Sequence, residues 1–170
     1  MVKLIHCLGY LAVLGILSFI IGRILPKKWF DWNEIPFKTL PVEKGGKIYE
    51  RLHIRKWKDI VPDMSKIVPA LIPKRAPKTL HGSKEETELL LQETCIAEFI
   101  HGALCVAGVG YLYIWPGVPG VIVFLLYVLG NLPFMIIQRY NRPRLCRIYQ
   151  RLGKETPEMK PAAKCEGETA

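Results

Sequence analysis

The sequence predicts an all-α membrane protein with three transmembrane helices, a proline-rich cytoplasmic segment at the membrane interface and a short basic C-terminal helix. The prediction rests on three apolar runs, at residues 4–22, 96–115 and 118–137. Each run is about 20 residues long and, at ~1.5 Å rise per residue, just spans a hydrocarbon core of ~30 Å. Because too few residues remain for a separate globular core, residues 1–152 are predicted to form a single membrane-embedded domain.

Composition and charge favour a lipid environment. Half of the 170 residues are hydrophobic, and the formal net charge is +9. A soluble domain this basic would suggest nucleic acid as its partner. Here the lysines and arginines crowd the ends of the apolar runs, where they face anionic head groups, so we expect membrane lipids and no nucleic acid. The five cysteines form no CxxC pair and no pairing rhythm, so neither a metal site nor another cofactor is predicted.

The first apolar run is predicted to be a retained helix, since no small-residue cleavage site follows it. Basic residues instead follow it at Arg23, Lys27 and Lys28. The turn at residues 116–120 carries no charge, whereas a cluster of arginines follows the third run. The positive-inside rule therefore predicts a multi-pass protein of the cell membrane with its N-terminus outside and its C-terminus in the cytoplasm.

The interfacial segment, residues 25–92, contains seven of the thirteen prolines, which argues against long regular elements over much of it. Residues 47–58 fit either a short amphipathic helix or a strand. The apolar stretch 68–73 is too short to span, and we expect it to dip into the interface. Ser83 followed three residues later by Glu86 forms a capping box, which predicts a helix that continues into the second apolar run.

The C-terminal part is predicted to consist of two pieces. Pro143 limits continuation of the third helix, so a short basic helix is expected over residues 144–152. Residues 153–170 contain proline, lysine, glutamate and alanine, a composition typical of a disordered tail.

Polar residues within the apolar runs mark the candidate chemistry. Glu98 and His101 lie about one turn inside the second helix, and Asn131 and Gln138 lie near the end of the third, so an antiparallel hairpin brings all four to one leaflet. The spacing of Glu98 and His101 allows the carboxylate to reach the imidazole. His101 could then be a general base oriented by Glu98, or Glu98 could be the base. Asn131 and Gln138 could hold a sugar hydroxyl or an oxyanion, or could simply join two helices.

Two basic groups complete the predicted cytoplasmic face. The first comprises Arg55, Lys56, Trp57 and Lys58, and the second comprises Gln138, Arg139, Tyr140, Asn141, Arg142, Pro143 and Arg144. Either group could adhere to anionic lipid, at about 1 kcal/mol per charge. Alternatively, their arginines could bind the phosphate of a substrate in bidentate fashion.

Three motifs carry a family resemblance: IRKWKD at 54–59, ETxxAExxH at 93–101, and NxPxxxxQRYNRPR at 131–144. They resemble the glycosyl diaponeurosporenoate acyltransferases, small membrane enzymes that complete staphyloxanthin-type carotenoids. The resemblance extends over roughly residues 20–145. Through these motifs Glu93 and Asn141 join the predicted substrate-binding residues.

The resemblance implies transfer of a fatty acyl chain to a hydroxyl of a sugar attached to a long carotenoid acid. The expected partners are an acyl donor, which is either an acyl thioester or a lipid, and a membrane glycolipid acceptor. A non-catalytic membrane module that binds anionic lipid or scaffolds lipid-modifying enzymes is the alternative. Three helices enclose little space, so a homodimer is a further expectation.

Overall fold

The computed structural model describes residues 1–61 and 83–155, and every regular element within them is helical. The long helices are α1 (Val2–Ile24), α4 (Lys84–Ala107) and α6 (Val118–Glu155), and the short ones are α2 (Lys47–Glu50), α3 (Ile54–Trp57), α5 (Gly110–Ile114) and two 3₁₀ helices, Lys27–Trp29 and Pro41–Gly46. The predicted interfacial stretch 68–73 and most of the predicted tail lie outside the described residues.

The predicted all-α membrane architecture is confirmed. Within the described part of the chain, three helical segments are long and apolar enough to cross a membrane: Val2–Ile24, Lys84–Ile114 and Val118–Lys154. The second begins well before the apolar run because the capping box forms. The amide of Glu86 donates to Ser83 Oγ at 3.1 Å, and the amide of Ser83 donates to Glu86 Oε2 at 3.3 Å, which satisfies two of the free donors at a helix start.

The third helix is longer than predicted. α6 runs without interruption for 38 residues, through both Pro133 and Pro143, so the separate helix expected over residues 144–152 is wrong. It takes in the first three residues of the predicted tail. A proline removes one helical hydrogen bond, but the residue before Pro143 is held by tertiary contacts: the Arg142 guanidinium bonds to Thr94 and Phe37. These bonds hold the backbone helical at the proline.

The chain divides into two compact units. The first comprises Met1–Pro26 and Ile96–Met135, and the second comprises Lys27–Cys95 and Ile136–Ala170.

Contacts between tyrosine side chains stabilise the first unit. The Tyr10 hydroxyl donates to the Ala107 carbonyl at 2.8 Å, and its ring meets Tyr111 edge-on with centroids 5.1 Å apart. Tyr111 in turn packs against Tyr127 at 5.2 Å. Gly110 makes the approach of Tyr10 possible, since a Cβ there would lie 2.5 Å from the tyrosine oxygen.

Aromatic contacts also form the core of the second unit. Trp32 packs edge-on against Tyr149, and Phe30 packs against Phe37, both with centroids 5.6 Å apart. Residues 47–58 take the helical alternative rather than the strand: α2 and α3 are joined by a turn in which His53 has φ 52°. The short helices are explained by that left-handed residue, which a continuous helix cannot contain.

The start of α6 provides a test of this packing. A Cβ at Gly120 would lie 1.8 Å from the Trp115 carbonyl oxygen, so we expect Gly120→Ala to lower the free energy of unfolding by about 1–3 kcal/mol. Gly130 on the same helix has open space around it, so Gly130→Ala should be neutral or stabilising, by up to about 1 kcal/mol. Thermal unfolding in detergent compares the two variants. Equal stability would contradict the close approach at Gly120.

Candidate active site

His101, on α4, is held by two residues one turn apart on α6. Its Nδ1 lies 2.9 Å from Asn131 Oδ1. Its ring stacks on Phe134 with centroids 4.5 Å apart and planes within 10° of parallel. Asn131 and Phe134 share a helix face because they are three residues apart. The imidazole is therefore fixed in both position and ring orientation.

The hydrogen-bond network also selects the tautomer of His101. The amide nitrogen of Asn131 donates to the Tyr127 carbonyl oxygen at 2.9 Å. A carbonyl can only accept, so the amide oxygen, not the amide nitrogen, must face the imidazole. Nδ1 of His101 therefore carries the proton, and Nε2 carries the lone pair. When the ring is neutral, Nε2 is therefore the nitrogen that can accept a proton.

Asn131, on another helix, bonds to Nδ1 of His101, and the orientation of the ring by Glu98 stays a prediction. Glu98 is buried, with 6% of its surface exposed, one turn before His101 on α4. The helical spacing placed these two residues on one face, but it could not show that an amide from another helix would reach the ring nitrogen first. Because the Asn131 amide is neutral, it orients the His101 ring without placing another charge beside it.

A group of cations surrounds Tyr140 in the second unit. Arg55 Nε donates to the Tyr140 hydroxyl at 3.3 Å, and Arg144 donates to the same oxygen. The Arg144 guanidinium also lies 4.0 Å over the centre of the Tyr140 ring, and the Lys58 ammonium lies 5.9 Å from it. Such contacts with an aromatic face stabilise positive charge. We call Arg55, Lys58 and Arg144 the cationic cluster.

One carboxylate lies within the cationic cluster. Glu50 Oε1 is 2.5 Å from Arg55 and 3.6 Å from Arg144. The Tyr140 hydroxyl and Glu50 raise the pKa of Arg55, so its guanidinium stays charged. Three cations against one carboxylate leave an excess of positive charge. Because the Arg55 and Arg144 side chains are 67% and 38% exposed, an anion in solution can reach both.

Arg139 and Arg142 bond to the protein itself. Arg139 pairs with Glu43 at 2.9 Å and donates to the Pro36 carbonyl at 2.6 Å. Arg142 is 1% exposed. It donates to the Phe37 carbonyl at 2.6 Å and to both oxygens of Thr94 at 3.2 Å. The two arginines predicted to bind substrate thus hold the loop at residues 36–37 in place.

The other predicted substrate-binding residues are dispersed. Glu93 forms an ion pair with Lys27 at 2.7 Å. The indole N–H of Trp57 donates to the Leu52 carbonyl at 2.8 Å, and Lys56 is exposed. Gln138 and Asn141 are half-buried on α6.

Sequence reasoning gave no role to four residues of these networks: Glu43, Glu50, Phe134 and Tyr140. Tyr140 and Phe134 both lie inside the motif at 131–144, which is the signal that could have found them. Glu43 and Glu50 are separated by more than 90 residues of chain from their partners on α6, Arg139 and Arg144. In the described residues no group of three or more His, Cys, Asp or Glu side chains could hold a metal ion.

Comparisons with known proteins address the same region. The sequence profile of the glycosyl-4,4'-diaponeurosporenoate acyltransferases matches residues 26–151. A protein of that name from Staphylococcus aureus strain MRSA252 is 33% identical over 138 residues, covering 79% of this chain and 82% of the relative. Proteins of the same name from strains bovine RF122 / ET3-1 and USA300 are 32% identical with the same coverage. No solved structure matches the chain.

Proposed function

Since the chain belongs to the glycosyl-4,4'-diaponeurosporenoate acyltransferase family and is thus an acyltransferase, we propose that it transfers a fatty acyl chain from an acyl thioester to a hydroxyl of a lipid-linked carotenoid sugar. The observation that carries this proposal is the network of His101, Asn131 and Tyr127, which leaves His101 Nε2 able to accept a proton. Family membership favours this reaction over a non-catalytic lipid-binding role.

In the proposed reaction His101 is the general base. Its Nε2 takes the proton of the acceptor hydroxyl as that oxygen attacks the thioester carbonyl carbon. The new ester C–O bond forms, the C–S bond breaks, and the imidazolium returns the proton to the departing thiolate. Asn131 is a positioning residue, because it keeps the proton on Nδ1 and so leaves the lone pair of the neutral ring on Nε2. Glu98, one turn before His101 on α4, is the alternative general base.

The cationic cluster is the proposed recognition site for the donor. Thioester carriers bear phosphate groups, and arginine guanidinium groups bind phosphate through paired hydrogen bonds. Arg55 and Arg144 are accessible and carry excess positive charge around Tyr140. We place this cluster, with the C-terminus, on the cytoplasmic side and the N-terminus outside, as the distribution of basic residues favours.

Reconstitution tests the proposed reaction directly. The full chain in lipid vesicles is given acyl-coenzyme A labelled in its acyl chain and a glycosylated carotenoid acid. We expect one ester and one free thiol to form for each turnover, detected by mass spectrometry and by a thiol reagent. Release of the thiol without formation of the ester would show hydrolysis instead. The absence of both products would overturn the proposal.

Neutralising the cationic cluster tests donor recognition. We expect Arg55→Gln and Arg144→Gln each to raise KM for acyl-coenzyme A about tenfold or more, because a hydrogen bond to a charged group contributes about 1.5–3 kcal/mol. The value of kcat at saturating donor should change little. Arg147 is an exposed arginine on the same helix, and Arg147→Gln is the matched control. An unchanged KM in both cluster variants would remove the donor from this site.

A further inference from the structure

The second unit contains an apolar pocket that the proposed reaction does not yet use. The pocket has a volume of about 430 Å³ and lies between the 3₁₀ helix Pro41–Gly46 and α2. Its walls are Leu40, Val42, Ile48 and Leu52. The volume falls within the range of ~300–1,000 Å³ that is usual for ligand sites.

The pocket walls are exposed although they are apolar. Between 37% and 63% of the surface of each of the four side chains is open in the structure. A single exposed apolar side chain is ordinary on a protein surface. Four of them around one concavity form a continuous apolar surface. A surface of this kind is stabilised by an apolar ligand that covers it.

The carboxylate in the pocket lining is already neutralised. Glu43 Oε1 accepts hydrogen bonds from the Tyr49 hydroxyl and from Arg139, and Oε2 accepts one from the Leu40 amide at 2.8 Å. Because both oxygens have protein donors, Glu43 needs no polar ligand. Apart from Arg51, the remaining lining is mostly aliphatic, and the pocket therefore suits a hydrocarbon chain rather than a sugar.

The pocket adjoins the cationic cluster along the chain. Glu50, the carboxylate of that cluster, stands between Tyr49 and Arg51, which both line the pocket. The turn that begins α2 also packs on Tyr140, the residue that the cluster surrounds, since a Cβ at Gly46 would lie 3.4 Å from the Tyr140 carbonyl oxygen. An apolar cavity beside accessible guanidinium groups matches a molecule with a hydrocarbon chain and an anionic carrier.

We infer that this pocket binds the hydrocarbon chain of the acyl donor and sets the chain length that the enzyme transfers. The inference rests on the proposed function for the identity of the donor. It adds a specificity site to that function, with Val42 and Leu52 on its walls. The alternative is that the same four side chains contact the lipid surface. They would then anchor the protein to the membrane and would not influence the chain length that is transferred.

Narrowing the pocket separates the two occupants. Val42→Trp and Leu52→Trp add bulk at exposed wall positions, where a substitution should have little effect on the stability of the fold. In competition assays with short-chain and long-chain saturated acyl-coenzyme A, we expect the ratio of long to short product to fall about tenfold. That factor equals about 1.4 kcal/mol, the burial free energy of about two methylene groups. Ile60, which is 79% exposed in the same unit, gives the control Ile60→Trp, for which the ratio should not change.

Labelling provides a readout that does not depend on turnover. Acyl-coenzyme A with a photoreactive diazirine at the methyl end of its chain should crosslink to residues 40–52, and an excess of unlabelled acyl-coenzyme A should prevent it. An unchanged product ratio, or a uniform loss of membrane association in both tryptophan variants, would overturn the pocket assignment. If no donor supported acyl transfer but crosslinking at residues 40–52 persisted, the proposed reaction would be overturned. The assignment of the pocket as a binding site for the acyl chain would still hold.

Discussion

His101→Ala is expected to lower kcat for acyl transfer by about 10²- to 10⁴-fold, the usual contribution of a positioned general base. The physical reason is that the hydroxyl nucleophile then has no acceptor for its proton at Nε2. Single-turnover assays with the vesicle-reconstituted protein measure the chemical step, and thermal unfolding shows whether the variant remains folded. Full activity in a folded His101→Ala protein would exclude His101 as the base. If Glu98→Gln lost the activity instead, the role would pass to Glu98.

The double variant tests how Asn131 acts. If Asn131 works only by orienting His101, then Asn131→Ala should lower kcat by itself but add nothing in the His101→Ala background. If Asn131 supported only the packing of α6, Asn131→Ala would lower kcat by a similar factor in both backgrounds. Such a cycle distinguishes a coupled pair from two independent sites.

Arg142→Met is expected to lower the free energy of unfolding by about 3 kcal/mol or more. The change leaves the carbonyl oxygens of Phe37 and Thr94 without their buried donor, at about 1–3 kcal/mol for each unsatisfied group. A methionine of similar length isolates this loss from a loss of volume. Thermal unfolding in detergent measures the effect.

Two further variants establish the cause of that instability. Arg142→Lys restores one cationic donor and should recover part of the stability, whereas the exposed Arg147→Gln should change it little. A stable Arg142→Met protein with a raised KM for the donor would mean that Arg142 binds substrate after all.

The spanning helices could be predicted from the sequence because hydropathy and length alone determine which segments can cross a bilayer. The start at Ser83 could also be predicted, since a capping box is a local interaction. The continuation of α6 through Pro143 could not. It depends on Arg142 bonding to residues 48 and 105 positions away in the chain, and no local pattern contains that information.

The roles of the candidate site residues stay predictions, and the hydrogen bonds between them could not be predicted. His101 and Asn131 were both identified as polar residues facing one leaflet, yet their hydrogen bond depends on how two helices pack. The arginines show the same limit. Arg139, Arg142 and Arg144 look alike in sequence, but only Arg144 joins the accessible cluster, because a helix turns each one toward a different neighbour.

Glu50 gives the cationic cluster its own internal competitor. A phosphate that binds Arg55 and Arg144 competes with this carboxylate, which lies 2.5 Å from the first guanidinium group and 3.6 Å from the second. The exchange weakens net affinity, and it returns the carboxylate to its place once the spent carrier leaves. An enzyme whose leaving group keeps its phosphates after the reaction benefits from this arrangement, because tight retention of the used carrier would slow every subsequent turnover.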